Sequence, residues 1–318
     1  MCIVYKYYIK IMLRWINVFL VLCIILPLIL FFLKRITRKK EKKVIEIEEI
    51  ENVPKNIWLY WENKPGHEKP EYIQMCIDSV LRNCGKEFSV KILDENSVLN
   101  YLPSLRKDIN NLTIPQKADY IRLAILNKYG GIWLDSDIIV FKSLLPLVNK
   151  LKEIDYIGFG YHGLMLNNMF AKNGYGKPAN WAMISRKNGI LVGKCLDSAN
   201  KLLDSKINLN IGYRYHKLGR ELIWDVIKDL RKNSNWDYYH VDSVNLERDV
   251  RGEKITNARL ISNEILDPSY DSYLIPLYNT SPGFPESFLN MNKEEILNEN
   301  MLVSQLFRKA FNYYSANK

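Results

Sequence analysis

Two aspartates one residue apart, Asp135 and Asp137, close the apolar run Gly131-Ile-Trp-Leu134. Carboxylates are hard oxygen ligands, and a pair of them suits a divalent cation such as Mn or Mg. A cation held there can screen a diphosphate and stabilise it as a leaving group. Side chains alternate along a strand, so a strand that continues through the pair would point both carboxylates to one side and Ser136 to the other. In open α/β sheets ligands gather outside the carboxyl ends of the strands, and Ile-Trp-Leu followed by Asp-Ser-Asp has that form. Two acids ending a strand in solvent would have no such role, so the surrounding sequence must decide.

The elements that position the pair read as α/β, because short apolar runs alternate with helical patterns. NIWLYW, Asn56 to Trp61, reads as a buried strand. A helix opens at Pro70 and repeats Ile73, Cys76, Ile77 and Val80 at three- and four-residue steps. FSVKIL, 88 to 93, reads as a second strand, and ADYIRLAILNKYGG as a helix that ends at Gly130-Gly131. GIWLDSD then gives a strand, with IIVF as its continuation. The later half contains a Gly- and Asn-rich loop from Tyr161 to Asn180 and two helical segments. A turn-rich stretch from Leu274 to Phe288 precedes a last helix from about Lys293 to Tyr314.

Charge is distributed unevenly. Of 45 Lys and Arg, ten lie in residues 1–43 with Glu41 as the one acid, and the rest of the chain holds 35 bases and 34 acids. A nearly neutral body is not a nucleic-acid-binding domain, and no nucleic-acid partner is expected. Trp15 to Leu33 is uncharged over 19 residues, about 28 Å of helix and enough to cross a hydrocarbon core. The run ends in Phe-Phe-Leu and enters KRITRKKEKK rather than a small-residue cleavage site, which predicts an uncleaved anchor. Residues 1–14 are then a short tail, 15–33 a transmembrane helix, 34–53 a charged stalk and 54–318 one folded domain. Three bases precede the span and seven follow it, which places that domain in the cytosol, with the Golgi lumen as the alternative. Cys76, Cys84 and Cys195 show no zinc or disulfide spacing.

The segment ADYIRLAILNKYGGIWLDSDIIVFKSL resembles the signature of the DXD sugar-binding-region glycosyltransferases. That group includes capsular polysaccharide synthesis proteins, fungal initiating mannosyltransferases and the glucosylating domains of bacterial toxins. The likeness includes an Asp-x-x-Arg on the helix, the Tyr-Gly-Gly turn and the Asp-x-Asp, and it extends to VPKNIWLYWENK and KPANWAMISRKN. It implies a GT-A-like, single nucleotide-sugar-binding domain with a Mn or Mg ion. By the same resemblance, Asp137 is the direct metal ligand, and Asp135 contacts the donor's ribose or sugar and reaches the metal. Asp119 and Arg122 hold sugar hydroxyls, and their i, i+3 spacing puts them on one helix face. Trp61 matches the aromatic that stacks the nucleobase, a flat surface suited to a base, although either Trp61 or Trp58 has an alternative as core. Asn180 and Trp181 fall in the region that lines the donor sugar. Asn279 or Ser281 is available to complete the metal site.

Together these features predict a membrane-anchored, metal-dependent hexosyltransferase. It would move a hexose from a nucleotide diphosphate sugar to a glycan or lipid-linked acceptor, with retention implied by the family. Two rivals use the same acids. A magnesium-dependent phosphotransferase of the haloacid-dehalogenase type would want Thr or Ser where Ile139 stands. A non-catalytic, membrane-tethered carbohydrate-binding protein would keep the fold without turnover.

Overall fold

The computed structural model describes residues 12–16, 19, 28–29, 31–36, 53–160, 177–206, 209, 216–242, 253–277 and 283–313. The chain divides into two compact units, Met1–Asn52 and Val53–Lys318. In the first, the described residues are helical. No helix among the described residues is long and apolar enough to cross a membrane. Most of the span expected at 15–33, and the stalk from 37 to 52, lie outside the described residues.

The second unit is a mixed α/β structure. Its central sheet has six strands in the order β2-β1-β3-β6-β5-β7, where β1 is Asn56–Tyr60, β2 Ser89–Leu93, β3 Gly131–Leu134, β5 Tyr156–Gly160, β6 Ala182–Ser185 and β7 Tyr239–Asp242. Strands β1, β2 and β3 run parallel; β6 is antiparallel to both β3 and β5, and β7 is parallel to β5. A separate antiparallel pair joins β4, Ile138–Val140, to β8, Leu274–Pro276. The main helices are α1 (Glu71–Cys84), α2 (Ile114–Tyr129), α3 (Ile190–Asp204), α4 (Arg220–Asn233), α5 (Lys293–Asn298) and α6 (Leu302–Ala310).

The central strands are apolar at nearly every position because both faces of the sheet are covered. Ile57, Leu59, Ile132, Leu134, Ile157 and Ile184 join the core built with α1 and α6. Their alternates Trp58, Tyr60, Trp133, Tyr156 and Met183 join the core built with α2, α3 and α4. Trp58 is thus a core residue: its indole N–H donates to the Gly130 carbonyl at 3.0 Å, and its ring meets Tyr101 and Tyr129.

Three departures from the sequence reading have local causes. The chain does not continue as one strand through the acidic pair; β3 ends at Leu134, residues 136–137 form a turn, and β4 pairs in the other sheet. Helix α2 begins four residues before the expected Ala118, because Gln116 Oε1 accepts from the Thr113 N–H and hydroxyl and closes the helix start. The last helix is broken into α5 and α6, and Arg308 Nη1 donates to the carbonyls of Leu297 and Glu299 where α5 ends. Strands β5 to β8 escape the sequence reading altogether, each being five residues or shorter.

Gly131 fixes the passage from α2 into β3. It has φ +99, and an added Cβ would drive into the Asn56 carbonyl of β1. Gly131→Ala combines a left-handed backbone with an overlap against a central strand, so it should destabilise the protein by roughly 2–4 kcal/mol. Urea denaturation is the check. A midpoint equal to the parent's would mean that the strand shifts freely and that this junction is not rigid.

Candidate functional site

The sheet topology gathers the site at one edge. Strand β3 ends at Leu134, which pairs with Ala182, the first residue of the antiparallel β6. The carboxyl end of β3 therefore meets the amino end of β6, and Asp135 lies beside Trp181, whose carbonyl accepts the Asp135 N–H at 2.8 Å. Strand β1 ends at the same edge with Tyr60 followed by Trp61. Helix α2 leads into β3, so its first turns return to this edge and carry Asp119 and Arg122 with them.

Arg122 is the hub. It is 4% exposed; one guanidinium nitrogen lies 2.9 Å from Asp119 Oδ1, and another lies 3.1 Å from Asp135 Oδ1 and bonds the Asn180 carbonyl. Its guanidinium also stands 5.2 Å from the centre of the Trp133 ring. Asn180 Nδ2 donates to Asp119 Oδ1 at 2.7 Å, and the Trp133 indole N–H donates to Asp135 Oδ1 at 2.8 Å. Both Oδ1 atoms are committed to this network. Among the described residues, neither Oδ2 atom accepts a hydrogen bond, and Asp135 is the more exposed of the two side chains.

The two carboxylates have mostly protein around them, Asp119 being 13% and Asp135 32% exposed at the side chain. Burial pushes the Asp119 carboxyl up to about 6 against the opposing pull of Arg122, with the nearby Asp135 charge adding to the rise. Burial raises Asp135 as well, and Arg122 and the Trp133 N–H oppose it. Gly219, just before α4, closes over Asp119 and Asn180: a Cβ there would come within 2.6 Å of Asp119 Oδ2 and 2.8 Å of Asn180 Nδ2.

The alternation argument does not govern Asp135 and Asp137, because β3 has ended before them and a turn spans residues 136–137. The Asp137 charge acts on α1, where burial first and then Asp137 raise the Tyr72 phenol and the Cys76 thiol. Asp137 is half-buried, and its carbonyl accepts the Leu277 N–H at 2.9 Å, which ties the turn to β8. Ser136, the residue between the acids, is buried and donates its hydroxyl to the Tyr60 carbonyl at 2.9 Å. That bond fastens the acidic turn to the end of β1, next to Trp61.

Trp61 is half-buried and packs partly on the α1 side, and its indole N–H donates to Asn63 Oδ1 at 2.6 Å. Trp181 is 7% exposed, with its ring tilted against Phe159 and its indole N–H buried without a hydrogen-bond partner. Asn279 and Ser281 lie outside the described residues. Among the described residues no group of three or more His, Cys, Asp or Glu could hold a metal ion. Sequence reasoning missed Ser136, Gly219 and a largely buried pair, where Lys117 meets both oxygens of Glu62 at 2.8 Å and Tyr60 donates to Glu62 at 2.6 Å. Only the Ser inside the motif was visible beforehand, and nothing in its type announced a clamp.

The sequence profile of the capsular polysaccharide synthesis protein family matches residues 27–238. The chain belongs to that family. The match takes in β1, the Asp119/Arg122 helix, the acidic turn and the Asn180-Trp181 segment, so the expected resemblance holds. The O-glycosyltransferase braB of Annulohypoxylon truncatum is 25% identical over 183 residues, covering 53% of this chain and 42% of that protein. The glycosyltransferase afumC of Aspergillus fumigatus is 30% identical over 113 residues, 31% of this chain and 29% of that protein. The chain thus spans less than half the length of these curated relatives. Among solved structures, the galactosyltransferase LgtC in complex with donor and acceptor sugar analogues aligns with 81% of this chain and 95% of its own at 13% identity, with a TM-score of 0.42. A likeness that slight says nothing of the site.

Proposed function

We propose that this family member is a GT-A-like glycosyltransferase that moves a hexose from a nucleotide diphosphate sugar to a glycan or lipid-linked acceptor, with retention of configuration. The observation that carries the reading is the Asp119–Arg122–Asp135 network at the strand edge. It fixes two carboxylates through one oxygen each and leaves the other oxygen of each without a hydrogen bond among the described residues. The Asp135 Oδ2, on the more exposed of the two side chains, accepts hydrogen bonds from sugar or ribose hydroxyls, and Asp119 helps to hold it through Arg122. Arg122 is fully engaged by protein groups, so its part is to position the acids rather than to grip the sugar itself. Gly219 packs closely over Asp119 and Asn180, and the unpartnered Trp181 indole N–H is a donor for an oxygen of the ligand. Trp61 stacks the nucleobase, and the Ser136 clamp holds it beside the acidic turn.

The donor set also suits a hard cation. Asp137 and the open oxygen of Asp135 would hold Mn or Mg, with diphosphate oxygens completing the shell, as is usual where a protein offers one or two carboxylates. When bound, the ion would offset the charge that builds on the departing nucleotide diphosphate. Asn279 and Ser281 remain proposed as further ligands. The experiment is to incubate the full chain with a panel of nucleotide sugars across a Mn titration and measure free nucleotide and sugar. Donor hydrolysis that rises with Mn is expected; donor binding without any release would point instead to a carbohydrate-binding protein.

Trp61→Ala should weaken nucleotide binding by about 1–3 kcal/mol, the range for losing a base-stacking surface. Trp61→Phe should keep part of the affinity. Calorimetry on both variants decides, and unchanged affinity in a folded Ala variant would assign Trp61 to the core alone.

The membrane-anchored, single-pass arrangement is part of the same proposal, resting on the uncharged run from Trp15 to Leu33 and its basic flanks. In that unit Trp15, Phe19, Phe31 and Phe32 are each more than half exposed, as suits side chains that face lipid. Residues 54–318 then form a catalytic domain on the cytosolic side, held on a 34–53 stalk. A C-terminal tag in sealed membranes is expected to be digested by added protease. A protected tag would reverse the orientation and favour the Golgi lumen.

A further inference from the structure

The end of β1 carries a second charge pair that takes no part in the Asp119–Arg122–Asp135 network. Lys117 and Glu62 are 11% and 17% exposed at their side chains, and Lys117 Nζ donates to both oxygens of Glu62 at 2.8 Å. The Tyr60 hydroxyl donates to Glu62 Oε2 at 2.6 Å. Burial first, and then the bond to Glu62, raises the Tyr60 phenol, so this hydroxyl keeps its proton and serves as a donor.

The pair joins two elements of the site. Lys117 stands near the start of α2, two residues before Asp119 and five before Arg122, and Glu62 directly follows Trp61. Residues 61–70 have neither helix nor strand, although the Trp61 N–H still donates to the Leu93 carbonyl at 2.9 Å, one step past the β1–β2 ladder. Tyr60 and Glu62 meet the α2 side of the sheet, whereas Trp61 between them packs toward α1. A buried ion pair adds little net stability, because desolvating both charges offsets most of their attraction. What it supplies is position: a carboxylate held by two donors fixes the backbone of residue 62 against α2. Ser136 holds the Tyr60 carbonyl, so the chain is tied down on both sides of Trp61.

We propose that Lys117 and Glu62 are positioning residues for Trp61. They form a brace from α2 that sets the indole relative to Asp119 and Arg122 on the same helix, and so fixes the spacing between the nucleobase and sugar positions. Each acts through Trp61 rather than on the donor itself. The brace stands on geometry alone; its consequence for donor binding rests on the nucleotide-sugar reading. A platform held in place before the ligand arrives loses less freedom on binding, which is how such a brace would raise affinity.

The test uses the full chain in detergent, labelled with fluorotryptophan, with the Trp61 fluorine resonance assigned by its absence in Trp61→Phe. Lys117→Met should shift or broaden that resonance and leave the Trp236 resonance in place. Because Lys117→Met strands a buried carboxylate and could unfold the chain, the double variant Lys117→Met/Glu62→Leu is measured beside it; it removes both charges and should stay folded with the Trp61 signal still displaced. Lys117→Arg, which keeps a donor for Glu62, should retain the parental signal. Calorimetry with UDP, GDP, ADP and dTDP in the presence of Mn then reads the consequence. The nucleotide that the parent binds most tightly should bind the double variant about fivefold or more weakly, the low end for losing a stacking surface. Nucleotide release at saturating donor should fall less than affinity does. A parental Trp61 resonance in the folded double variant would overturn the brace, and a displaced resonance with parental nucleotide affinity would overturn its role in donor binding. Failure of the nucleotide-sugar reading would appear separately, as absence of nucleotide binding by the parent, and would remove the donor role while the fluorine signal still decided the brace.

Discussion

Asp137→Asn should give a folded protein whose Mn-dependent release of nucleotide from the donor falls by about a hundredfold or more. The substitution keeps nearly the same shape and removes a full negative charge from the position proposed to face the cation. The backbone bond between the Asp137 carbonyl and Leu277 does not depend on the side chain, so the turn should persist and the melting temperature should change little. Asp135→Asn should also be severe, but its loss divides between donor affinity and turnover, because Asp135 is held by Arg122 and Trp133 as well as open to the ligand. The measurement is nucleotide release across a Mn titration, with the melting temperature recorded on the same samples. Near-parental activity in Asp137→Asn that still responds to Mn would sink the metal assignment.

Arg122→Met should cost stability rather than activity alone. Arg122 holds two desolvated carboxylates at once, and removing one partner of a buried charge network leaves the others uncompensated, at about 3–5 kcal/mol. The loss carries a pH signature. Asp119 titrates at about 6 in the folded chain, above the usual value near 4, so its ionisation works against folding. That penalty, on the order of 3 kcal/mol, is complete above pH 6 and absent below about 4. Without Arg122 both carboxyls rise further and the penalty deepens at neutral pH. Denaturation at pH 8 and at pH 4.5 should therefore show a large difference between variant and parent at the higher pH and a much smaller one at the lower. An equal loss at both values would mean that Arg122 acts through packing alone.

The frame of the site was legible in the sequence because it is local. The apolar runs of β1 and β3, the helix with Asp119 and Arg122, and the glycine pair all announce themselves through composition and spacing. The acidic pair was found for a sound chemical reason but placed by a faulty geometric one, since periodicity two applies only while a strand lasts. What ended the strand was long-range: Ile138–Val140, just past the acidic pair, pair with Leu274–Pro276, almost 140 positions away. The Ser136 clamp, Gly219 above Asp119 and the Lys117–Glu62 pair were likewise invisible, because each depends on a partner that only the assembled sheet brings near. Short strands such as β6 and β8 give too few residues for any period to show.

The pairing of β4 with β8 also has a bearing on where this protein can be divided. The family profile stops at residue 238, and a fragment cut there would keep every residue of the acidic motif. It would lose β8, the only partner β4 has among the described residues, and with it the Leu277 N–H that holds Asp137. It would also lose α6, whose Ala310 carbonyl is laced through the Asn83 side chain to the Val140 carbonyl at the end of β4. The buried residues Ile138, Ile139 and Val140 would be left as a bare apolar edge, open to other chains. The matched stretch and the folded unit do not share a boundary here, and the cut that similarity suggests would pass through the support of the site itself.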